Sequence, residues 1–241
     1  MLDTGIKLKR EGFRELLHDR LSEQVEGYAL LNRLVECCEV YVVGGTVRDL
    51  LLFGERAETS RDIDVVIKIR DRDGFEQAIE GTRYIINRFG GYKFYLGDSV
   101  MDLWELDKTF GIRSGDDVGV SDFIECMHLT TDRFLYDYGR DELHIDELEA
   151  YFEKEEIGVL VSSDVIDDHM PIVVNDLMRC YYYRLKYNLE FSSNVSELIR
   201  SVLDRLTMVE FLDGLFAYQR KHFGELRVSE DELGVIIKEL I

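Results

Sequence analysis

The sequence predicts an α+β fold: a mixed sheet with flanking helices over residues 1–170, then a helical, neck-like cluster over residues 171–241. Three observations predict it. Before Ile172, short β-branched and aromatic runs alternate with stretches whose apolar residues recur at three- and four-residue steps. After Ile172 only the helical spacing persists. Turns at Gly44-Gly45, Gly90-Gly91 and Gly97-Asp98 punctuate the first part, while Pro171 is the sole proline of the chain.

Taken in order, residues 8–36 read as a helix, because Phe13, Leu16, Leu17, Leu21, Val25, Tyr28, Leu31 and Leu34 form one apolar stripe. Glu39–Val43 is a β-branched run ending in Gly44-Gly45, after which Thr46–Leu52 resumes helical character. Asp62–Ile69 reads as a strand and Asp71–Glu80 as a short helix. Strands follow at Arg83–Arg88, Tyr92–Leu96 and Ser99–Leu106. Helices are predicted at Ser121–Leu129 and Ile145–Glu155, with a small strand near Phe134–Tyr136. The C-terminal helices are expected to break near Ser192–Asn194, Asp213–Gly214 and Arg227–Ser229.

Composition narrows the function. Of 241 residues, 46% are hydrophobic and aromatics run throughout, which excludes a disordered chain. Acids outnumber bases 49 to 29, a net charge of −20, so any nucleic-acid contact must be local and no extended nucleic-acid surface is expected. The excess is concentrated between Asp116 and Asp168, where 17 acids face only Arg133, Arg140 and Lys154. No apolar run approaches the roughly 20 residues that span a bilayer, so no membrane partner is expected. The four cysteines (Cys37, Cys38, Cys126, Cys180) form no CxxC pair and the histidines are isolated, which argues for reduced thiols, a cytoplasmic setting and no zinc site.

The chemistry-bearing stretch is Val40–Leu52 (VYVVGGTVRDLLL) followed by Arg61-Asp-Ile-Asp-Val-Val-Ile67. A strand that delivers two glycines into a helix N-terminus lets backbone amides approach a phosphate, with Arg48 about one turn further on; a plain packing turn is the alternative. Asp62 and Asp64, two apart on a strand, share a face. A divalent cation relieves their mutual repulsion, and hard oxygen ligands suit Mg²⁺ or Mn²⁺. A two-metal site wants a third carboxylate, for which Asp102 in Val100-Met-Asp-Leu-Trp-Glu-Leu106 is the first candidate. Alternation sets Asp102 with Val100, Trp104 and Leu106, an acid among bulky apolar residues, and Asp98 and Glu105 are its competitors.

Together, GGTVRDLLL and RDID resemble the head domain of the bacterial-type poly(A) polymerase and CCA-adding nucleotidyltransferases, in the polymerase-β superfamily. The resemblance implies that Gly44, Gly45 and Arg48 hold a nucleoside triphosphate. It also implies that Asp62 and Asp64 bind catalytic magnesium and that Asp102 is the third carboxylate. More weakly, Val120–Met127 (VSDFIECM) is similar to a family segment from which it keeps Asp122 and Phe123 but not the arginines. Asn175-Asp-Leu-Met-Arg179 is similar to a base-reading helix, placing nucleotide recognition on Asp176 and Arg179. Residues three apart share a helix face, so one base edge can meet both, and an intrahelical ion pair is the other reading.

The expected activity is metal-dependent transfer of NMP from an NTP to an acceptor hydroxyl, an RNA 3′ end or short RNA, with pyrophosphate release. The alternative is a nucleotide-binding regulatory module acting through a protein partner. The apolar pattern of residues 195–241 also offers a packing face for a homo-oligomer.

Overall fold

The computed structural model describes residues 8, 10–58, 62–87, 90–109, 118–145, 149–161 and 163–240. Two compact units divide the chain: Lys7–Met127 with Asp132–Glu149, and His128–Thr131 with Ala150–Ile241. Residues 150–170 thus group with the C-terminal helices, whereas the sequence reading drew its boundary at residue 170.

The first unit runs α1 (Phe13–Ser22), α2 (Val25–Cys37), β1 (Cys38–Val43), α3 (Gly44–Phe53), β2 (Asp62–Ile69), α4 (Arg72–Ile79), β3 (Tyr84–Ile86), β4 (Tyr92–Leu96), β5 (Ser99–Glu105), α5 (Val120–Cys126), β6 (Phe134–Asp137) and β7 (Glu142–Ile145). The seven strands form one sheet in the order β3-β4-β5-β2-β1-β6-β7. β2 and β5 pair in parallel and every other neighbouring pair is antiparallel.

The two sheet faces have different fates. Val40, Val42, Ile63, Val65, Ile67, Phe94, Met101 and Leu103 occupy one face and are fully buried. Helix α2 lies against it so closely that a Cβ on Gly27 would come within 3.0 Å of Ile63. On the other face, Tyr41, Val43, Val66 and Leu135 pack with Leu106, Val118 and Phe123, which brings α5 over the β1–β6 side. Beyond that patch the described residues leave the face open: Asp62 and Tyr95 are exposed, and Asp64, Lys93, Val100, Asp102 and Trp104 are half-buried.

The second unit contains α6 (Glu149–Glu153), β8 (Glu156–Ile157), α7 (Ser163–Asp168), α8 (Met170–Tyr187), β9 (Glu190–Phe191), α9 (Ser193–Leu203), α10 (Met208–Phe223) and α11 (Glu230–Leu240), with β8 and β9 paired in parallel. Pro171 sits in the first turn of α8, where its missing N–H costs nothing. A reciprocal cap between Thr207 and Glu210 starts α10.

Three expectations are corrected. The helix over 8–36 is two helices: Gln24 leaves helical geometry, and Val25, counted in the apolar stripe, is 73% exposed. Ile145 belongs to β7, paired with Phe134 of β6, so the helix expected at 145–155 shrinks to α6. No break occurs at Asp213–Gly214 either. α10 runs through it, and the missing side chain of Gly214 admits Val174 of α8, whose Cγ1 would lie 2.8 Å from a Cβ there. Arg88 and Arg61, the ends of two sequence motifs, lie outside the described residues.

Candidate active site

β1 enters the site in extended geometry at Val43, and α3 begins at Gly44 with φ +73°. That left-handed residue must be glycine for two reasons. L side chains avoid the region, and a Cβ there would stand 2.5 Å from Asp64 Oδ2. The first turn of α3, with amides that no helical carbonyl accepts, is therefore pressed directly against an aspartate of β2. Thr46 Oγ1 donates to the Asp62 carbonyl at 3.5 Å and ties the same turn to the start of β2.

The parallel pairing of β2 and β5 places Asp64 opposite Asp102 in register, with Asp62 opposite Val100. All three acids lie on the open face. The competitors for the third position fall elsewhere. Asp98 is exposed in the β4–β5 turn. Glu105 points to the opposite face, where it is 3% exposed and accepts from Arg72 Nη2 and Lys108 Nζ, each at 2.8 Å. The setting of Asp102 also differs from expectation: the bulky, sealed side of β5 is the one carrying Met101 and Leu103.

Electrostatically the acids crowd one another. Burial first, then the charges of Asp102, Asp62 and Asp132, push the Asp64 carboxyl up to about 7, with Arg48 pulling the other way. Asp132 went unrecognised in the sequence; it follows two threonines in a short turn before β6 and carries no motif. It also engages Arg48, whose Nη1 donates to Asp132 Oδ1 at 2.9 Å while its Nε donates to Asp49 Oδ1 at 3.2 Å. The Arg48 side chain is 6% exposed. A Cβ on Gly45 would lie 3.4 Å from Arg48 Nη2, so the guanidinium folds back on the glycine turn.

Asp102 has its own cation. Lys93, its neighbour across β4–β5, donates to both carboxylate oxygens, at 2.9 and 2.7 Å. The chemistry of the acid cluster fits a hard divalent cation: Asp62, Asp64 and Asp102 supply only carboxylate oxygen, and a cation would relieve the crowding on Asp64. Among the described residues, however, no three His, Cys, Asp or Glu side chains stand together as a metal site. A cation held by the trio must take Asp102 from Lys93.

The remaining candidates lie in their own settings. Asp122 caps α5, accepting from the Gly119 amide at 2.7 Å, and Phe123 is core. In the second unit, Asp176 and Arg179 share a face of α8 as their spacing implies, and they bond to each other at 3.3 Å. The other Asp176 oxygen meets His128 Nδ1 at 2.6 Å, a partner 48 residues away that sequence spacing does not reveal. Tyr181 is buried against Phe191, so that ring serves packing. All four cysteines are free, and Cys37 and Cys38 bring their sulfur atoms to 3.7 Å.

Solved structures with this architecture include CCA-adding enzymes and a tRNA nucleotidyltransferase. A CCA-adding enzyme in complex with ATP aligns with a TM-score of 0.60 at 18% identity, covering 83% of this chain and 49% of that one. The Thermotoga maritima CCA-adding enzyme complexed with tRNA aligns at 0.52 and 15% identity, covering 90% of this chain and 56% of that one. A tRNA nucleotidyltransferase complexed with a primer tRNA and an incoming ATP analogue aligns at 0.52 and 13% identity, covering 78% and 58%. The fold is shared. At 13–18% identity the likeness is one of fold, and it is the fold expected from the glycine and aspartate motifs. The chain spans about half the length of these neighbours. No protein-family model and no curated protein sequence matches it. Among the described residues, no helix is long and apolar enough to cross a membrane.

Proposed function

We propose that the chain is a metal-dependent nucleotidyltransferase that moves NMP from an NTP to an acceptor hydroxyl, an RNA 3′ end. The observation that carries this reading is the register match of Asp64 and Asp102 across β2 and β5, with Asp62 on the same face and the N-terminal turn of α3 against Asp64. In the reaction the acceptor oxygen bonds to the α-phosphorus and the bond to the bridging oxygen breaks. Pyrophosphate leaves, and the hydroxyl proton passes to a carboxylate of the trio. The first-turn amides of α3 orient the triphosphate, so the protein contributes positioning and charge placement rather than covalent chemistry. Asp62, Asp64 and Asp102 would hold Mg²⁺ or Mn²⁺, which supplies neutralisation of the phosphate charge. The solved neighbours bound to ATP, CTP and tRNA support this choice of substrates.

The test is incubation with α-labelled NTP, Mg²⁺ and total RNA. Label transfer in the parent, lost in Asp62→Ala with Asp64→Ala, supports the assignment; full turnover in the double variant rejects it. A second reading, a nucleotide-binding module acting through a protein partner, is favoured by three ion pairs. Arg48 is engaged by Asp49 and Asp132, and Asp102 by Lys93. Calorimetric NTP binding without label transfer or pyrophosphate release would select it.

A further inference from the structure

The acid-bearing face does not end at Asp102. Moving outward across β5, β4 and β3, cross-strand pairing puts Lys93 opposite Asp102 and Ile85, the Tyr95 amide donates to the Arg83 carbonyl, and the Trp104 side chain reaches Gly91. Trp104 lies over Gly91: a Cβ at position 91 would stand 2.6 Å from the indole Cδ1, so glycine is what lets the ring lie down on the sheet. Tyr95 is 38% exposed and Ile85 50%. The Arg83 guanidinium sits over the Tyr95 ring at 5.3 Å. Among the described residues α5 packs on the β1–β6 side of this face, and Trp104, Lys93 and Tyr95 extend the carboxylate cluster as half-buried to exposed side chains.

From this juxtaposition we infer that the open face of β5, β4 and β3 is a platform for a single-stranded RNA end, with Trp104 and Tyr95 stacking unpaired bases and Arg83 and Lys93 meeting phosphates. The inference rests on the proposed reaction, since it supplies the acceptor's docking surface. The chemistry selects a single strand. An unpaired base offers a π-face to a ring lying on a sheet, whereas a duplex shields its bases and requires an extended cationic surface that a chain of net charge −20 does not offer. Two cations also suffice only for a short contact. The salt dependence should therefore be shallow, with a log–log slope of about −0.7 per phosphate met and no steeper than about −1.5.

Trp104 is the only tryptophan of the chain, so its fluorescence reports the platform without labelling. Full-length protein is titrated with an unstructured oligoribonucleotide, reading Trp104 emission and, in parallel, the anisotropy of a fluorescein-labelled copy. Saturable quenching is expected to coincide with the anisotropy rise, and a blunt duplex should not compete. Tyr95→Ala and Arg83→Ser, both at exposed positions, should each weaken binding by about fivefold with an unchanged circular-dichroism spectrum. Anisotropy that rises without quenching, or unaltered affinity in both variants, places RNA elsewhere and overturns the inference, as does failure of the oligonucleotide to bind. A fall in light-scattering mass on Tyr95→Ala, with RNA affinity unchanged, assigns the face to a protein partner and also overturns it. NTP calorimetry on the same samples separates the two claims: quenching without nucleotide binding leaves the platform and rejects the reaction, and NMP transfer to a small alcohol without quenching does the reverse.

Discussion

Lys93 gives its ammonium to both oxygens of Asp102, at 2.9 and 2.7 Å, from the strand on the far side of Asp102 from Asp64. Asp102 therefore stands between two claims: its register partner Asp64 makes it part of an acid cluster, and Lys93 neutralises it within the sheet. The pair is partly open, with 36% of the lysine side chain exposed, so its strength is that of a surface ion pair, about 0.2–1 kcal/mol.

Lys93→Met should therefore tighten Mn²⁺ binding by about two- to fivefold, the equivalent of that interaction. Titration followed by the electron paramagnetic resonance of free Mn²⁺ measures it. An isotherm unchanged from the parent's would remove Asp102 from the ligand set.

Asp64 gives the cluster a pH signature. Its carboxyl lies near 7 in the folded chain against an ordinary 3.8, because of burial and three carboxylate neighbours. Between those values folding takes up a proton, so this group makes the metal-free protein less stable as pH rises from about 4 to about 7, with the full cost present above that. Asp64→Asn abolishes the cost. The variant should match the parent near pH 4 and exceed it near pH 8 by on the order of a few kcal/mol in urea denaturation. A difference independent of pH would put Asp64 in an ordinary aqueous setting.

The two glycines of the turn should behave unequally. Gly44→Ala forces a left-handed φ on an L residue and drives a Cβ to 2.5 Å from Asp64, for a cost of about 1–3 kcal/mol. Gly45→Ala meets only the Arg48 guanidinium, at 3.4 Å, and should cost less than about 1 kcal/mol. Equal losses in thermal denaturation would refute the close approach of α3 to β2.

Arg48 holds two acids in a shielded place, so Arg48→Met should cost about 3 kcal/mol by taking the shared guanidinium from Asp49 and Asp132. Asp132→Asn added to it should recover part of that loss. Arg48→Lys should recover little, because a single ammonium does not span both carboxylates as the guanidinium fork does. If Arg48→Met lowers NTP affinity without touching stability, the arginine works on nucleotide instead.

Much of the sheet was legible because local signals were strong: β2 and β4 match their predicted bounds, and the double glycine marked the β1–α3 turn. The shared face of Asp62 and Asp64 follows from strand period alone. What sequence could not deliver were partners set by tertiary register. Lys93 meets Asp102 because β4 returns beside β5, and Asp132 reaches Arg48 across 84 residues. His128 likewise reaches Asp176 from outside α8. β7 was lost because its alternation, Glu142-Leu143-His144-Ile145, is only four residues long and sits in an acid-rich stretch, and the α1–α2 break because the stripe continues through it.

The side-by-side run of β2 and β5 has an evolutionary corollary. Hydrogen bonds between these two strands fix the spacing of the acids, so the chain that leaves β2 and returns at β5 bears on them through side chains such as Lys93 and not through the pairing that sets their register. The β3–β4 hairpin lies on that excursion. On the proposed reading, a grafted hairpin that keeps Lys93 changes which acceptor is docked and leaves the register of the acids in place.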